Sequence, residues 1–562
     1  MKNNSLAKRF LKPAVCALML GAGGASAFEY RIDNSDVEIY IDTTVTASVA
    51  MTTKTAQPLN TGPSGRGTIF ADAGDVYSAP VSFITDAAFN WDDWGVFTRF
   101  GYLYDFELMD GANKCTNCSG RTPAGTLDGI PEGARNEYNA FTLYDLFVWS
   151  NFEVADHPIS VRVGKQVINW GESNIMGGGL STVINPSDLA KTTTPGTEVK
   201  ERLLPQEMVY FNFEITPNAS LEAYYVWNWR RSQFIPVGTL FSPFDFLGQG
   251  FNPDLSVPGV EKRGSDKPKR GGQWGIAFHQ IIESLNYADF GVYWVRSHAQ
   301  QPYLQANYDP SGPGTLGFGT TYHEVFSEDQ DTYAISLNGE VGQTGISFQT
   351  EVNMRENFWD TRQCQNYFGL AGILGTIGPA PFPTSWTPDY PGTGGVPGCE
   401  NENNNVYTWV GNLTYSVGGG PFGADKQSYL FDWQLQWVDD LDQGDLTDKT
   451  SARLDLKAPG VDQLDRFVTD FAWGYTVVAA FEYNNLFWNL NVKPTFVWVH
   501  NVEGYEPFNT GALVENQRTV RASVTFDYQS QMSLEIAHTW WPGKEGTWSD
   551  RDNISATFKY SF

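Results

Sequence analysis

Residues 554 to 562 read "ISATFKYSF", and this closing stretch decides the fold. Every second residue is apolar (Ile554, Ala556, Phe558, Tyr560, Phe562), while Ser555, Thr557, Lys559 and Ser561 between them are polar. A period of two marks a strand with one apolar face and one wet face. In a soluble sheet, an edge ending on an aromatic is a template for unwanted pairing, which proteins blunt with charge or proline. The pattern makes physical sense if this strand closes a barrel against the first strand and turns its apolar face to lipid.

The other terminus agrees. "MKNNSLAKRFLKPAVCALMLGAGGASAFEY" has a basic start (Lys2, Lys8, Arg9, Lys12), a short apolar run from Ala14 to Ala25, and the small-residue pattern Ala25-Ser26-Ala27. It reads as a secretory signal over 1–27, cleaved after Ala27; the run is too short to span a bilayer. Removing four basic and no acidic residues takes the formal charge from -27 to -31. So acidic a chain has no basic face for a phosphate backbone, which argues against nucleic acid. Charged residues are only 18% of the chain while aromatics reach 15% and glycines number 56. That balance suits a transmembrane barrel with an apolar exterior and a polar lumen.

Alternation recurs along the chain, for example at Val37 to Val49, Phe83 to Trp91, Val209 to Ile215, Tyr429 to Trp437 and Val520 to Tyr528. Short turns fall near 92–95, 153–157, 216–220, 283–287, 340–345, 418–425, 484–488 and 529–531. Long polar segments fall near 52–82, 107–139, 171–206, 231–271, 297–330, 355–404, 438–466, 502–518 and 542–552. Strict alternation of short and long connections is the asymmetry of periplasmic turns and outer loops. Eight hairpins plus a first and a last strand predict a single antiparallel transmembrane β-barrel over 28–562 with eighteen strands; sixteen is the nearest alternative. A soluble sandwich would place polar residues outward, whereas here the apolar face is rich in Trp, Tyr and Phe.

Four cysteines remain after cleavage: Cys115 and Cys118 in the second long segment, Cys364 and Cys399 in the sixth. In an exported chain an even count reads as two disulfides. The spacing at Cys115 and Cys118 also leaves a redox or metal motif open, but no paired histidine is near, and no metal site or cofactor is expected.

The closing strand, with Phe558, Tyr560 and Phe562 at alternate positions, resembles the signal by which the barrel-assembly machinery recognises its clients. Further in, "VRVGKQVINWGESNIMGG" carries Arg162, Gly164, Gln166, Trp170, Gly171 and Glu172. With "LYDLFV" (143–148), "NPSD" (185–188), "TPG" (194–196) and "LLPQE" (203–207), it resembles the Gram-negative envelope family known as domain of unknown function thirteen-oh-two. The resemblance implies an outer-membrane channel for poorly soluble organic compounds, working beside a periplasmic lipoprotein-like partner and an inner-membrane exporter; the alternative is an envelope scaffold that docks such a partner for lipid or organic-compound export and conducts nothing alone. It implies no catalytic residues.

Parity places Arg162, Gln166 and Trp170 on the lumen wall if Val161 and Val163 face lipid, with Asp145 close to Gln166 across the hairpin. Arg99, Asp105, Glu107, Glu351, Arg355, Lys493 and Arg521 also project inward. Such a wall binds a solute, or simply rigidifies the barrel through paired charges. Lys165 falls on the lipid side, where a mid-membrane lysine costs ~2–4 kcal/mol; a bulge near Gly164 or a place beyond the lipid band resolves it. The segment 171–206, with Lys200 and Arg202, either folds inward as a constriction or stands outside as a surface loop. "EKRGSDKPKR" (261–270) is the one basic cluster, suited to lipopolysaccharide phosphates or plain solvation. "DDLDQGDLTD" (439–448) only partly fits a calcium loop. There is no GxSxG, HExxH or phosphate loop, so the chain is not expected to be an enzyme; an outer-membrane lipase with a serine and histidine assembled in space is the remote alternative.

Overall fold

The computed structural model describes residues 28–31, 36–55, 70, 72–110, 132–172, 175–236, 238–241, 260–309, 319–358, 404–439, 469–506, 513–543 and 548–562. The alternating segments form strands of 9–17 residues, the reach that a tilted strand needs to cross a membrane. In chain order they are β1 (Val37–Thr52), β2 (Pro80–Trp91), β3 (Trp94–Asp105), β4 (Asn139–Val154), β5 (His157–Gln166) and β6 (Gln206–Thr216). There follow β7 (Ala219–Asn228), β8 (Gln273–Ile282), β9 (Ala288–Ser297), β10 (Gln330–Glu340), β11 (Ile346–Phe358) and β12 (Asn404–Gly418). The ring is completed by β13 (Lys426–Val438), β14 (Phe471–Phe487), β15 (Leu490–Glu503), β16 (Arg518–Tyr528), β17 (Met532–Trp540) and β18 (Asn553–Ser561).

Each strand pairs antiparallel with its neighbours in sequence, and β18 pairs with β1 from Thr44↔Ser561 to Thr52↔Asn553. Thr43 and Phe562 exchange backbone hydrogen bonds of 2.8 and 2.9 Å at the end of this seam. The result is a closed barrel of eighteen strands, with no free edge. Two short pieces, Phe28–Arg31 and Val76–Ser78, extend the pairing of β1 where β18 and β2 run out. The eight short turns lie at one end. Ala155 and Asp156 both have positive φ, and so do Trp488 and Asn489; this geometry lets a two-residue hairpin follow the twist of its strands.

The two faces of the wall differ as lipid and water require. On β12 and β13, Trp409, Leu413, Phe431 and Trp437 point outward and are exposed, while Thr408, Asn412, Gln434 and Gln436 point inward and are buried. Near the long-loop end the outward aromatics touch across strands, as in Trp274–Trp294 (4.8 Å) and Trp437–Phe471 (5.4 Å). Trp91 and Trp94 pair at the opposite end (5.4 Å). These are the two interfacial girdles of a membrane barrel of the outer-membrane type.

Strand β4 carries a bulge. Arg99 pairs with Asp145 and Phe100 with Leu143, so Tyr144 is the extra residue, and both Tyr144 and Asp145 are buried on the inner side. The strand register through Gly164 is regular, so the bulge lies on the neighbouring strand. Lys165 sits one residue from the end of β5, and its ammonium donates to the Leu143 carbonyl, the satisfied position at the rim that this side chain requires.

Cys115, Cys118, Cys364, Cys399 and residues 1–27, where the signal is expected, lie outside the described residues, as do Glu261, Lys262 and Arg263 of the basic cluster in their side chains and 440–448 of the acidic one.

Candidate functional site

The segment joining β5 to β6 carries two short helices, α1 (Leu180–Ile184) and α2 (Leu189–Thr193), and a single 3-10 turn at Val199–Glu201. Its backbone and side chains bond to inward-facing residues around the ring. The fully buried Glu351 carboxylate on β11 accepts from the backbone N–H of Glu172 (3.0 Å) and Leu180 (2.9 Å). Asp432 on β13 accepts from Ile175 (3.2 Å) and Met176 (2.9 Å). Farther round, Glu198 pairs with Lys559 on β18 (3.5 Å), Lys200 with Asp86 on β2 (3.4 Å), and Tyr144 on β4 donates to Glu201 (3.1 Å). One segment thus touches strands on opposite sides of the ring.

The sequence motifs prove to be its fasteners. Gly171 has φ +87, and a Cβ there would lie 2.1 Å from the Glu351 carboxylate. Gly196 has φ +81, and a Cβ there would meet Ser48 at 2.3 Å and Thr46 at 2.7 Å on β1. Both positions need a left-handed backbone and no side chain. The fully buried Asn185 donates to the carbonyls of Ile168 (2.6 Å) and Ser181 (3.0 Å) and accepts from Ile168 (3.2 Å), which pins the start and middle of the segment together. Asp188 caps α2 by accepting from Lys191 (3.2 Å), and Gln206 donates to Ile184 (2.7 Å). Burial pushes the Asp188 carboxyl up to about 6, against the opposing pull of Lys191 and Arg230. Beneath α1, Leu180, Ile184, Met208, Tyr224, Ala277 and Tyr293 form one apolar cluster. Each fully buried aliphatic side chain in it contributes roughly 2 kcal/mol.

The residues expected on the lumen wall divide into two groups. Arg99 makes a two-pronged bond to Asp86 (2.7 and 2.9 Å) and reaches Asp145 (3.2 Å). Lys200 joins the same network and also pairs with Glu198 (3.3 Å). Arg162 lies over the Tyr210 ring at 4.1 Å. Arg521 donates to Glu535 (2.5 Å) and Ser523 (3.1 Å), and Arg202 is exposed and close enough to Arg521 to feel its charge.

Three others are buried and support the wall rather than line an opening. Asp105 is 0% exposed because it caps a helical turn, Phe106–Asp110: its carboxylate accepts from Ser78, Ala79, Glu107 and Leu108. Gln166 is 1% exposed and donates to Met208 (3.3 Å), with no bond to Asp145. Trp170 is 3% exposed, packs on Tyr224, and donates to Glu222 (2.6 Å), which also accepts from Tyr210 (2.7 Å).

Sequence reasoning missed Asp86, Glu222 and Asp432, all on strands. The signal was there: each is an acidic residue at an inward parity position on an alternating strand. It also missed Val199, an apolar residue of the inner segment that is 73% exposed; Ile175, 49% exposed, is among the apolar residues that suggest an inward fold. Around Val199 stand Lys200, Arg202, Glu198, Lys559 and Asp86, so apolar tips sit among charges of both signs. Among the described residues there is no cluster of His, Cys, Asp and Glu able to hold a metal ion.

The model of a protein family of unknown function, DUF1302, matches residues 10–562. No curated protein matches the chain. Among solved structures, the chain is similar to Acinetobacter baumannii OccAB1, at 12% identity and TM-score 0.42, over 93% of this chain and 96% of that one. It is similar to Pseudomonas aeruginosa OccK2 (OpdF), solved in complex with glucuronate, at 9% identity and TM-score 0.41, over 93% and 98%. A third, Pseudomonas aeruginosa OpdK with vanillate, is 10% identical with TM-score 0.40, over 93% and 98%.

Proposed function

The chain belongs to the DUF1302 family, and from that premise and the site's geometry we propose that it is a porin-like outer-membrane channel for a small organic solute with an apolar or aromatic body. The observation that carries this reading is the anchorage of the 171–206 segment on Glu351 and Asp432 at one side and on Lys559 and Asp86 at the other. A segment tied across a barrel narrows the lumen and makes its own exposed side chains the filter. Val199 and Ile175 give that filter an apolar lip, and the exposed Arg202 favours a negative head group on the passing molecule. The neighbouring ion pairs hold the remaining charges in place.

The test is planar-bilayer conductance of the purified protein beside a variant whose residues 175–199 are replaced by a short glycine–serine linker. The channel reading expects discrete openings in the first and larger ones in the second. Silence from both would leave a non-conducting scaffold, docked to a periplasmic partner, as the function.

A further inference from the structure

Pro494 stands within β15, the fifth residue from its short-turn end and inside a closed wall, where a strand residue normally donates to its neighbour. Backbone pairing of β14 with β15 runs to Ala480↔Thr495 and resumes at Tyr483↔Val492, so the ladder is interrupted opposite the proline. On the other side of β15 the ladder with β16 is continuous, Pro494 facing Val524. The gap is therefore confined to one seam.

An apolar groove of ≈ 380 Å³ opens on the outer face at this place. Its floor is made of small side chains, Ala479, Pro494 and Ala522, and its walls include Phe481, Phe496 and Ile536. The inner face is thin there as well. Higher on β14, Thr476 is fully buried against Met176 of the inner segment, whereas Val478 and Ala480, one and two inward positions nearer the short-turn end, are only partly buried. The seam thus lies just past the constriction, uncovered within and grooved without.

We infer that the β14–β15 seam at Pro494 is a lateral portal, through which an apolar solute that has passed the inner segment leaves the lumen for the bilayer. This rests on the channel reading. The occupant of the groove is then the solute itself in transit: the groove meets the stretch of this ladder that is interrupted opposite the proline, and an apolar molecule at that level has hydrocarbon a strand's thickness away and water ahead of it.

Two variants test it without touching the constriction. Pro494→Val restores the missing donor, and Ala522→Trp fills the groove from the lipid side, where bulk is accommodated by lipid. Entry of the fluorophore 1-N-phenylnaphthylamine into intact Gram-negative cells expressing each protein is read beside ionic conductance in planar bilayers. Each variant is expected to slow entry about five- to tenfold, the effect of one added hydrogen bond on an opening equilibrium, with conductance unchanged. Should Pro494→Val not fold, Ala522→Trp alone decides. Unchanged entry in a folded variant overturns the portal while leaving the channel standing, whereas a wild type with neither conductance nor entry removes the channel reading itself. A drop in oligomeric mass on Ala522→Trp would assign the groove to a second copy of this chain and also overturn the portal.

Discussion

Replacing Asp432 by alanine removes the acceptor of two backbone donors at once. Its carboxylate takes the N–H of Ile175 at 3.2 Å and of Met176 at 2.9 Å, and it is 2% exposed. A buried donor left without a partner costs about 1–3 kcal/mol; the Met176 donor is buried and that of Ile175 only partly so, and the tip of the inner segment loses about 1–4 kcal/mol of docking energy. The other anchor, Glu351, is untouched, and the barrel ladders on β12 and β14 are unaffected. The loss is therefore local opening rather than global unfolding. A loss of about 2 kcal/mol, within that range, shifts an opening equilibrium about thirtyfold, enough to change a rare excursion into a substantial population. In single-channel recordings Asp432→Ala is expected to show longer and larger openings than wild type, with heat-modifiable gel migration unaltered. Identical conductance traces from a folded variant would refute the claim that this carboxylate latches the segment.

Gly196→Val places a branched side chain against Ser48 and Thr46, so the segment should lift from β1 and conductance should rise; hydrogen exchange over 194–198 should quicken. Arg99→Met leaves Asp86 and the nearly buried Asp145 without their guanidinium, and should destabilise the barrel by about 3–5 kcal/mol in urea unfolding from lipid vesicles. Asp188 predicts a pH dependence. Its folded pKa is raised from 3.8 to about 6 by burial, with Lys191, Arg230 and Glu137 facing it. Docking of the segment is then strongest when the carboxyl is protonated, below pH 4, and weakens as pH rises through 6, by at most about 3 kcal/mol. Opening free energies from hydrogen exchange over 187–194 should be greater at pH 5 than at pH 7.5, and Asp188→Asn should abolish the difference.

Most of the wall was legible in the sequence because its physics is local. Period-two alternation fixes which face meets lipid, and the eight short turns near 92–95 through 529–531 coincide with the hairpins of the barrel. The bulge at Tyr144 was not legible, since one extra residue in "LYDLFV" leaves the alternation on either side intact. Inward parity put Arg99, Arg162 and Arg521 on the inner wall but could not separate a lining residue from a buried one. Asp105, Gln166 and Trp170 have the right parity, yet a helical turn, a backbone carbonyl and the Glu222 carboxylate cover them. The same limit concealed Glu351 and Asp432 as anchors, for their partners are backbone donors in a segment more than a hundred residues away. The motif glycines Gly171 and Gly196 carry no chemistry of their own, and only the close approach of Glu351 and Ser48 explains why a side chain is excluded there.

A nitroxide scanned over both faces of the wall tests the central claim most directly. Labels at the outward positions Ile335, Val352 and Phe496 should collide with dissolved oxygen and be shielded from a water-soluble nickel chelate, while a label at Val199 should meet the chelate. Chelate contact at the outward positions, with Val199 shielded, would contradict a lipid-bathed barrel whose inner segment stands in water.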